Sequence, residues 1–208
     1  MATIGSSRFR DKALARGRVR VDGLRLINLP NILSFCRLMA VPIAVWLLLD
    51  QHFPAAFWLF VAAGLTDAID GFLAKRFGWE TELGSYLDPL ADKALLVSVF
   101  VVLGWIGHIP LWLTIMVVFR DLLIIGGALV AVVITGTFKA DPMFVSKLNT
   151  TVQIALAAAV LAKLGLGLDL DTPIWVLIAL AGITTFASGI AYLVRWTRIM
   201  SAQEEEPS

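Results

Sequence analysis

Residues 67–92 of the chain read DAIDGFLAKRFGWETELGSYLDPLAD, and this stretch decides how the rest of the molecule is organised. Asp67 and Asp70 are three positions apart and Asp88 and Asp92 are four apart, so on helices each pair shares one face. Apolar segments extend on both sides, and the middle of the stretch is short and polar. The pattern predicts two consecutive antiparallel helices whose four carboxylates converge at similar depth.

The composition of the chain indicates that these helices lie in a lipid bilayer. Of the 208 residues, 59% are hydrophobic and 16% are charged, and the mean hydropathy is +0.84. An ordinary soluble domain has about 45–50% apolar and about 25% charged residues. So few charges cannot cover a surface in water, which excludes a soluble globular enzyme, a disordered chain and a fibre. The single cysteine, Cys36, excludes a disulfide framework and a cysteine-based zinc site.

Six segments are long enough to cross a membrane, since a spanning helix needs about 20 mainly apolar residues. We expect them at Leu29–Leu49, Pro54–Ala74, Gly84–Ile106, Pro110–Ile134, Ser146–Leu166 and Pro173–Trp196. The predicted fold is therefore all-α, a polytopic membrane protein with six transmembrane helices. Residues 1–27 would form a basic juxtamembrane segment, residues 28–198 the membrane domain, and residues 199–208 a disordered acidic tail.

The basic residues predict how the chain is oriented. Apart from Lys163, nearly all of them fall on one side of a six-span arrangement, where both termini lie. Cytoplasmic loops are enriched in Lys and Arg, so both termini are expected in the cytoplasm. We expect a bacterial inner membrane, with the mitochondrial inner membrane as the alternative. The segment 1–27 is either a bare tether or an interfacial helix attracted to anionic lipid, and we favour the helix.

Ionisable side chains inside a bilayer are costly unless they are paired or hydrated, so each of them is a candidate functional group. The four aspartates would repel one another in a low dielectric, and some would protonate unless cations lay between them. Oxygen ligands suit Mg²⁺ or Mn²⁺. We therefore predict two divalent ions, held by Asp67, Asp70, Asp88 and Asp92.

Small residues beside the acids let a ligand approach the backbone closely, although helix packing is the alternative explanation for them.

Two classes of protein would place acids in this way. One is an enzyme with a pocket open to the cytoplasm, and the other is a cation transporter or channel. A transporter should carry acidic side chains toward both faces of the membrane. Here the outer half of the predicted bundle has almost no acidic residues within its spans, which favours the enzyme.

The quoted stretch resembles the signature of the CDP-alcohol phosphotransferase family, D-x-x-D-G-x-x-A-R followed by G-x-x-x-D-x-x-x-D. Lys75 stands where the family usually has arginine, which keeps the charge but loses the bidentate fork. The run from Asn31 through Ser34 to Arg37 resembles the family's P-N-x-x-T-x-x-R opening. Within the family, Arg120-Asp121 and residues 146–153 are most similar to the CMP-forming cardiolipin synthases.

The resemblance implies an enzyme that moves a phosphatidyl group from CDP-diacylglycerol to the hydroxyl of phosphatidylglycerol, releasing CMP and forming cardiolipin. Phosphatidylglycerophosphate synthesis, or another acceptor alcohol, stays open as the alternative. Asp92 would be the catalytic base, and family members are commonly homodimers. No nucleic acid partner is expected. The nucleotide would bind at Asn31, Ser34, Asp70, Gly71, Ala74, Lys75 and Gly84, and the lipid phosphates at Arg37, Lys93, Arg120 and Lys147.

Each of these basic residues also has a structural interpretation. Arg37 and Arg120 would then pair with Asp121 or with other carboxylates and hold helices together. Lys93 would serve as a counter-charge beside Asp92, and Lys147 would extend its ammonium to the membrane interface. Thr150 and Gln153 are expected to form hydrogen bonds between helices rather than to bind substrate.

Overall fold

The computed structural model describes the backbone of residues 29–77, 82–135 and 144–204, and the side chains of residues 35–69, 93–127, 144–195 and 197. This described backbone is all-helical and contains no strand, which confirms the all-α part of the predicted fold. Its six helices are α1 (Leu29–Leu49), α2 (Phe53–Phe77), α3 (Glu82–Trp105), α4 (Leu111–Thr135), α5 (Phe144–Leu166) and α6 (Asp171–Glu204). The predicted basic segment 1–27 lies outside the described residues.

Short connections with turn residues join the helices at one end of the bundle. Gly107 and Gly167 have φ angles of +84° and +68°. Gly167 directly follows the last residue of α5, and Gly107 lies just beyond the end of α3. Glycine adopts this left-handed conformation without steric cost, so it ends helices readily. Pro54 and Pro173 lie in the first turns of α2 and α6, where a missing N–H breaks no helical hydrogen bond.

The last helix is longer than the sequence predicts. We expected the final span to end at Trp196 and residues 199–208 to be disordered, but α6 continues to Glu204. The residues that extend it include alanine, glutamine and glutamate, which have high helix propensities. The helix therefore continues beyond the predicted end of the span at Trp196. Residues 205–208 lie outside the described part of the chain.

The bundle is built around contacts between α1 and α3, between α5 and α6, and between α2 and both α1 and α5. The buried core is apolar, with Phe100 and Leu103 of α3 against Leu113 of α4 and Leu156 and Leu161 of α5. Many large apolar side chains point outward, including Trp105 with 81% exposure. Exposed apolar side chains in such number mark a surface that contacts a membrane or another protein.

Among the residues that the structure describes, two helices are long and apolar enough to cross a membrane, namely α5 and the part Asp171–Arg195 of α6. Shorter apolar stretches occur at Phe35–Leu49, Phe53–Ile69 and Lys93–Trp105. The length and composition of these helices fit a membrane location. The full six-span arrangement remains an expectation.

Candidate functional site

The two predicted acid pairs lie on consecutive helices. Asp67 and Asp70 are within α2, and Asp88 and Asp92 are within α3. Among the four acids, the structure describes the side chain of Asp67 alone, and the described side chains contain no group of three or more candidate metal ligands. The predicted convergence of four carboxylates stays a prediction. The predicted site residues whose side chains lie outside the described part are Asn31, Ser34, Asp70, Gly71, Ala74, Lys75, Gly84, Asp88 and Asp92.

Asp67 forms an ion pair that joins α1 to α2. The Nη1 atom of Arg37 lies 2.8 Å from Oδ1 of Asp67. The Arg37 side chain is buried, with 4% exposure, whereas the Asp67 side chain is 43% exposed. The carboxylate of Asp67 is therefore oriented by a buried cation and still accessible to a ligand.

A cavity of about 140 Å³ opens beside this ion pair, and Arg37, Asp67 and Lys93 form its polar side. Thr150 also lines it. Apolar side chains form the remaining walls, which belong to Phe60, Ala63, Gly64, Leu95, Leu96 and Ile154. Two cations and one carboxylate facing an apolar wall suit an anionic group attached to a hydrocarbon chain.

Behind the cavity, a buried charge network connects four helices. Oδ1 of Asp121 lies 2.7 Å from Nζ of Lys93 and 2.6 Å from Nη1 of Arg120. Arg120 is 2% exposed and Asp121 is 4% exposed. The other nitrogens of Arg120 donate to the hydroxyls of Ser146, at 2.5 Å, and Ser188, at 2.7 and 3.0 Å. Lys93 is on α3, the Arg120-Asp121 pair on α4, Ser146 on α5 and Ser188 on α6.

This network bears on the two interpretations of the basic residues. The ion pair of Arg120 with Asp121, which was the structural alternative, is present, and all three guanidinium nitrogens of Arg120 donate to protein atoms. A role for Arg120 in binding lipid phosphate stays a prediction. Lys147 is exposed at the start of α5, a position that is compatible with both of its interpretations.

A second polar layer lies between α5 and α6. The Oδ1 atom of Asn149 accepts hydrogen bonds from the hydroxyls of Thr184, at 2.8 Å, and Thr185, at 2.9 Å. Gln153, one turn further along α5, is completely buried, and its amide has no hydrogen-bond partner among the described residues. Thr150 bonds within its own helix, to the carbonyl of Ser146. The structure therefore shows no bond between helices for Thr150 or Gln153 within its described part.

The hydroxyl residues of these two layers that the sequence did not predict as functional are Ser188, Thr184 and Thr185. Single Ser and Thr residues in apolar helices are common and usually bond to their own helix, so the sequence carried no specific signal for them. Ser146 and Asn149 belonged to a run that we had noted for its resemblance only.

The opposite end of the bundle carries separate polar groups. Lys163 of α5 forms an ion pair with Asp171 at the start of α6. Nearby, burial lowers the pKa of His108 below its ordinary value of 6.5, and the positive charge of Lys163 lowers it further. These groups surround a different cavity, which Gly107, Pro110 and Trp175 also line.

Comparison with known proteins gives a consistent result. A family model described as CDP-alcohol phosphatidyltransferase matches residues 27–197. The chain is 34% identical over 193 residues to CDP-diacylglycerol–glycerol-3-phosphate 3-phosphatidyltransferase 1, chloroplastic, of Oryza sativa, covering 84% of this chain and 59% of the relative. It is 34% identical over 181 residues to human cardiolipin synthase (CMP-forming), covering 79% and 60%.

A bacterial relative matches over more of its own length. The probable phosphatidylglycerophosphate synthase of Mycobacterium tuberculosis is 35% identical over 181 residues, which cover 84% of each chain. The rice and human proteins are longer, and this chain spans about three fifths of their length. The names of these relatives thus include a cardiolipin synthase and a phosphatidylglycerophosphate synthase.

Proposed function

The chain belongs to the CDP-alcohol phosphatidyltransferase family of enzymes, and from this premise we propose that it is an integral-membrane phosphatidyltransferase that makes cardiolipin. The donor would be CDP-diacylglycerol and the acceptor phosphatidylglycerol, with CMP as the second product. The relatives named cardiolipin synthase (CMP-forming) support this choice. The Arg120-Asp121 pair supports it as well, through the resemblance described above. The family is one of enzymes, which argues against the alternative of a cation transporter.

The observation that carries the proposal is the cavity beside Asp67. Asp67, the first acid of the signature, lies there with two cations and an apolar wall. A phospholipid diphosphate presents the complementary chemistry, since it is anionic at one end and hydrocarbon at the other. Arg37 and Lys93 would bind the phosphate oxygens, and Phe60 and Leu96 would contact the lipid part.

The site also fits divalent metal ions. The signature supplies carboxylates only, and the one that is described, Asp67, is 43% exposed and fixed by Arg37. Hard oxygen ligands of this kind suit Mg²⁺ or Mn²⁺. Asp67, Asp70, Asp88 and Asp92 would hold two ions, which would neutralise the charge of the diphosphate and of the leaving CMP.

In the proposed reaction, Asp92 accepts the proton of the acceptor hydroxyl. The acceptor oxygen attacks the phosphorus that carries the diacylglycerol group, and the bond from that phosphorus to the bridging oxygen of the diphosphate breaks. CMP leaves with this oxygen and its electron pair. Asn31, Ser34, Gly71, Ala74, Lys75 and Gly84 would hold the nucleotide together with Asp70, and Arg120 and Lys147 would assist Arg37 and Lys93 at the lipid phosphates. Catalysis of this kind depends mainly on positioning and charge stabilisation.

We propose the same membrane arrangement that the sequence predicts. Six helices cross the bilayer of a bacterial inner membrane, both termini are cytoplasmic, and residues 1–27 lie on the inner surface. The protein acts as a homodimer. The second candidate function is phosphatidylglycerophosphate synthesis with glycerol 3-phosphate as acceptor. The Mycobacterium tuberculosis relative, which matches over 84% of its length, favours it.

The test measures CMP release from CDP-diacylglycerol by the detergent-solubilised chain, with phosphatidylglycerol or glycerol 3-phosphate as acceptor and with Mg²⁺ or a chelator. We expect Mg²⁺-dependent release with phosphatidylglycerol, and a fall of about 10²-fold or more in Asp67→Asn, because it weakens metal binding. Asp50→Asn, a change of an exposed acid at the opposite end, is the matched control and should retain activity. Release with glycerol 3-phosphate alone would establish the second candidate. Release with neither acceptor would contradict the proposed enzyme.

A further inference from the structure

Each of the two cations in the cavity is held by a carboxylate, but the two carboxylates differ in position. Asp67 holds Arg37 and itself lines the cavity. Asp121 holds Lys93 yet is not part of the cavity wall, and its side chain is 6% exposed, against 35% for Lys93. Asp121 therefore reaches the cavity through Lys93, which it contacts with Oδ1.

Asp121 is itself fixed by its neighbours. Its Oδ1 atom also accepts a hydrogen bond from Arg120, whose remaining donors bind hydroxyls of α5 and α6. A lysine side chain has several freely rotating bonds, and ordering it costs conformational entropy. A charge-assisted hydrogen bond to an anchored carboxylate orders the lysine side chain before a ligand binds. The binding step therefore loses less conformational entropy. The Lys93 ammonium is thus fixed relative to three helices other than its own.

We propose that Asp121 is a positioning residue, which fixes the Lys93 ammonium in the cavity so that it binds the phosphate of an acyl-bearing phospholipid. The inference rests on the proposed function, because it takes the substrates to be phospholipids. One of the three ammonium N–H groups donates to Asp121, and the Lys93 side chain is 35% exposed, so the other two N–H groups are left for a ligand. Donor and acceptor lipids both carry such a phosphate, so the experiment must separate them.

The test is a double-mutant cycle in binding, which does not require turnover. The full chain in detergent is titrated with dihexanoyl CDP-diacylglycerol and, separately, with dihexanoyl phosphatidylglycerol. Lys93→Met and Asp121→Asn should each weaken binding of at least one of these lipids by about tenfold, the effect of losing one charge-assisted hydrogen bond. The lipid that is affected identifies the phosphate that Lys93 binds.

The double variant separates positioning from general stabilisation. If Asp121 acts through Lys93, the double variant binds no more weakly than Lys93→Met alone. Fully additive losses of about a hundredfold would show that Asp121 acts independently of Lys93 and would overturn the proposal. Unchanged affinity for both lipids in Lys93→Met would overturn it as well, whatever Asp121→Asn does.

Two further variants guard against misinterpretation. Asp121→Glu keeps a negative charge beside Arg120 and displaces the carboxylate by one methylene, so it replaces Asp121→Asn if that variant fails to fold, with the same expected weakening. Asp171→Asn removes the ion pair with Lys163 at the opposite end of the bundle and should leave both affinities unchanged. A wild-type chain that binds the lipids through Lys93 but releases no CMP would refute the proposed function and leave this inference standing.

Discussion

At the scale of single residues, Arg120 shows how a charge is accommodated inside an apolar bundle. A buried guanidinium is strongly destabilising unless its donors are satisfied and a counter-charge lies beside it. Arg120 meets both conditions, because Nη1 bonds to Asp121 and the other nitrogens bond to Ser146 and Ser188. The same contacts attach α4 to α5 and α6. The position of this arginine therefore depends on three helices at once.

Gln153 differs from Arg120, since its buried amide has no hydrogen-bond partner in the described part of the chain. A buried polar group without a partner costs about 1–3 kcal/mol. Leucine has a similar volume and no such cost, so Gln153→Leu should raise the free energy of unfolding by about 1 kcal/mol. Thermal unfolding of the detergent-solubilised protein measures the change.

Asn149 provides the matched control for this prediction. Asn149→Leu removes a similar amide one turn away. Its Nδ2 also has no partner among the described residues, but its Oδ1 accepts hydrogen bonds from Thr184 and Thr185, so this variant should be less stable than Gln153→Leu. A lower melting temperature for Gln153→Leu than for wild type would contradict the prediction.

The candidate site was predictable from sequence as a set of charges but not as a set of pairs. The acids and Arg37 were identified because ionisable groups are costly in a span. That Arg37 pairs with Asp67, and Lys93 with Asp121, depends on the rotation of α1 to α4 about their axes, which local patterns do not determine. Ser188 was missed because its partner, Arg120, lies 68 positions away and nothing in its own segment marks it.

At the scale of elements, the apolar runs predicted the helices well. The predicted first span, Leu29–Leu49, has the bounds of α1, because polar residues at 50–52 end the apolar run. The end of α6 was predicted poorly, since it lies in a polar segment where hydropathy no longer reports on helix formation. Helix propensity, rather than membrane burial, accounts for those last turns.

The contact between α5 and α2 gives a prediction about helix packing. A Cβ atom at Gly165 would lie 2.9 Å from the backbone oxygen of Phe53, and backbone cannot move aside as a flexible side chain can. Gly165→Ala should therefore separate the two helix ends and lower the free energy of unfolding by about 1–3 kcal/mol. Thermal unfolding in detergent measures the loss.

Gly126→Ala is the matched control, because a Cβ atom there has no neighbour within 4 Å. Alanine is the better helix former, so this variant should be at least as stable as wild type. Equal stability of the two variants would contradict the close contact of α5 with Phe53.

At the scale of the whole molecule, the ion pairs lie at two levels along the bundle. The pairs Arg37–Asp67 and Lys93–Asp121 lie in the middle parts of their helices, and Lys163–Asp171 lies where α5 and α6 are connected. The core between them is largely apolar. The groups of the proposed site are thus separated along the bundle from the connection that carries Lys163–Asp171, and labelling of that connection tests the proposed membrane orientation.

The orientation can be tested with single cysteines in a Cys36→Ser background. Asp169 is exposed between α5 and α6, and Lys147 is exposed at the start of α5. In intact cells, a membrane-impermeant maleimide should label Asp169→Cys, because its connection faces outward in the proposed arrangement. Lys147→Cys should react only after permeabilisation. The reverse pattern would contradict cytoplasmic termini, and labelling of both in intact cells would contradict a spanning α5.

The connections 50–52, 106–110 and 167–170 are short and join the helices at one end of the bundle. In the proposed orientation this is the only face of the described bundle that a drug outside the cell meets directly. A compound aimed at the acids would first have to dissolve in the bilayer and reach the inner leaflet. Permeation, and not affinity alone, would then decide which inhibitors act on living cells.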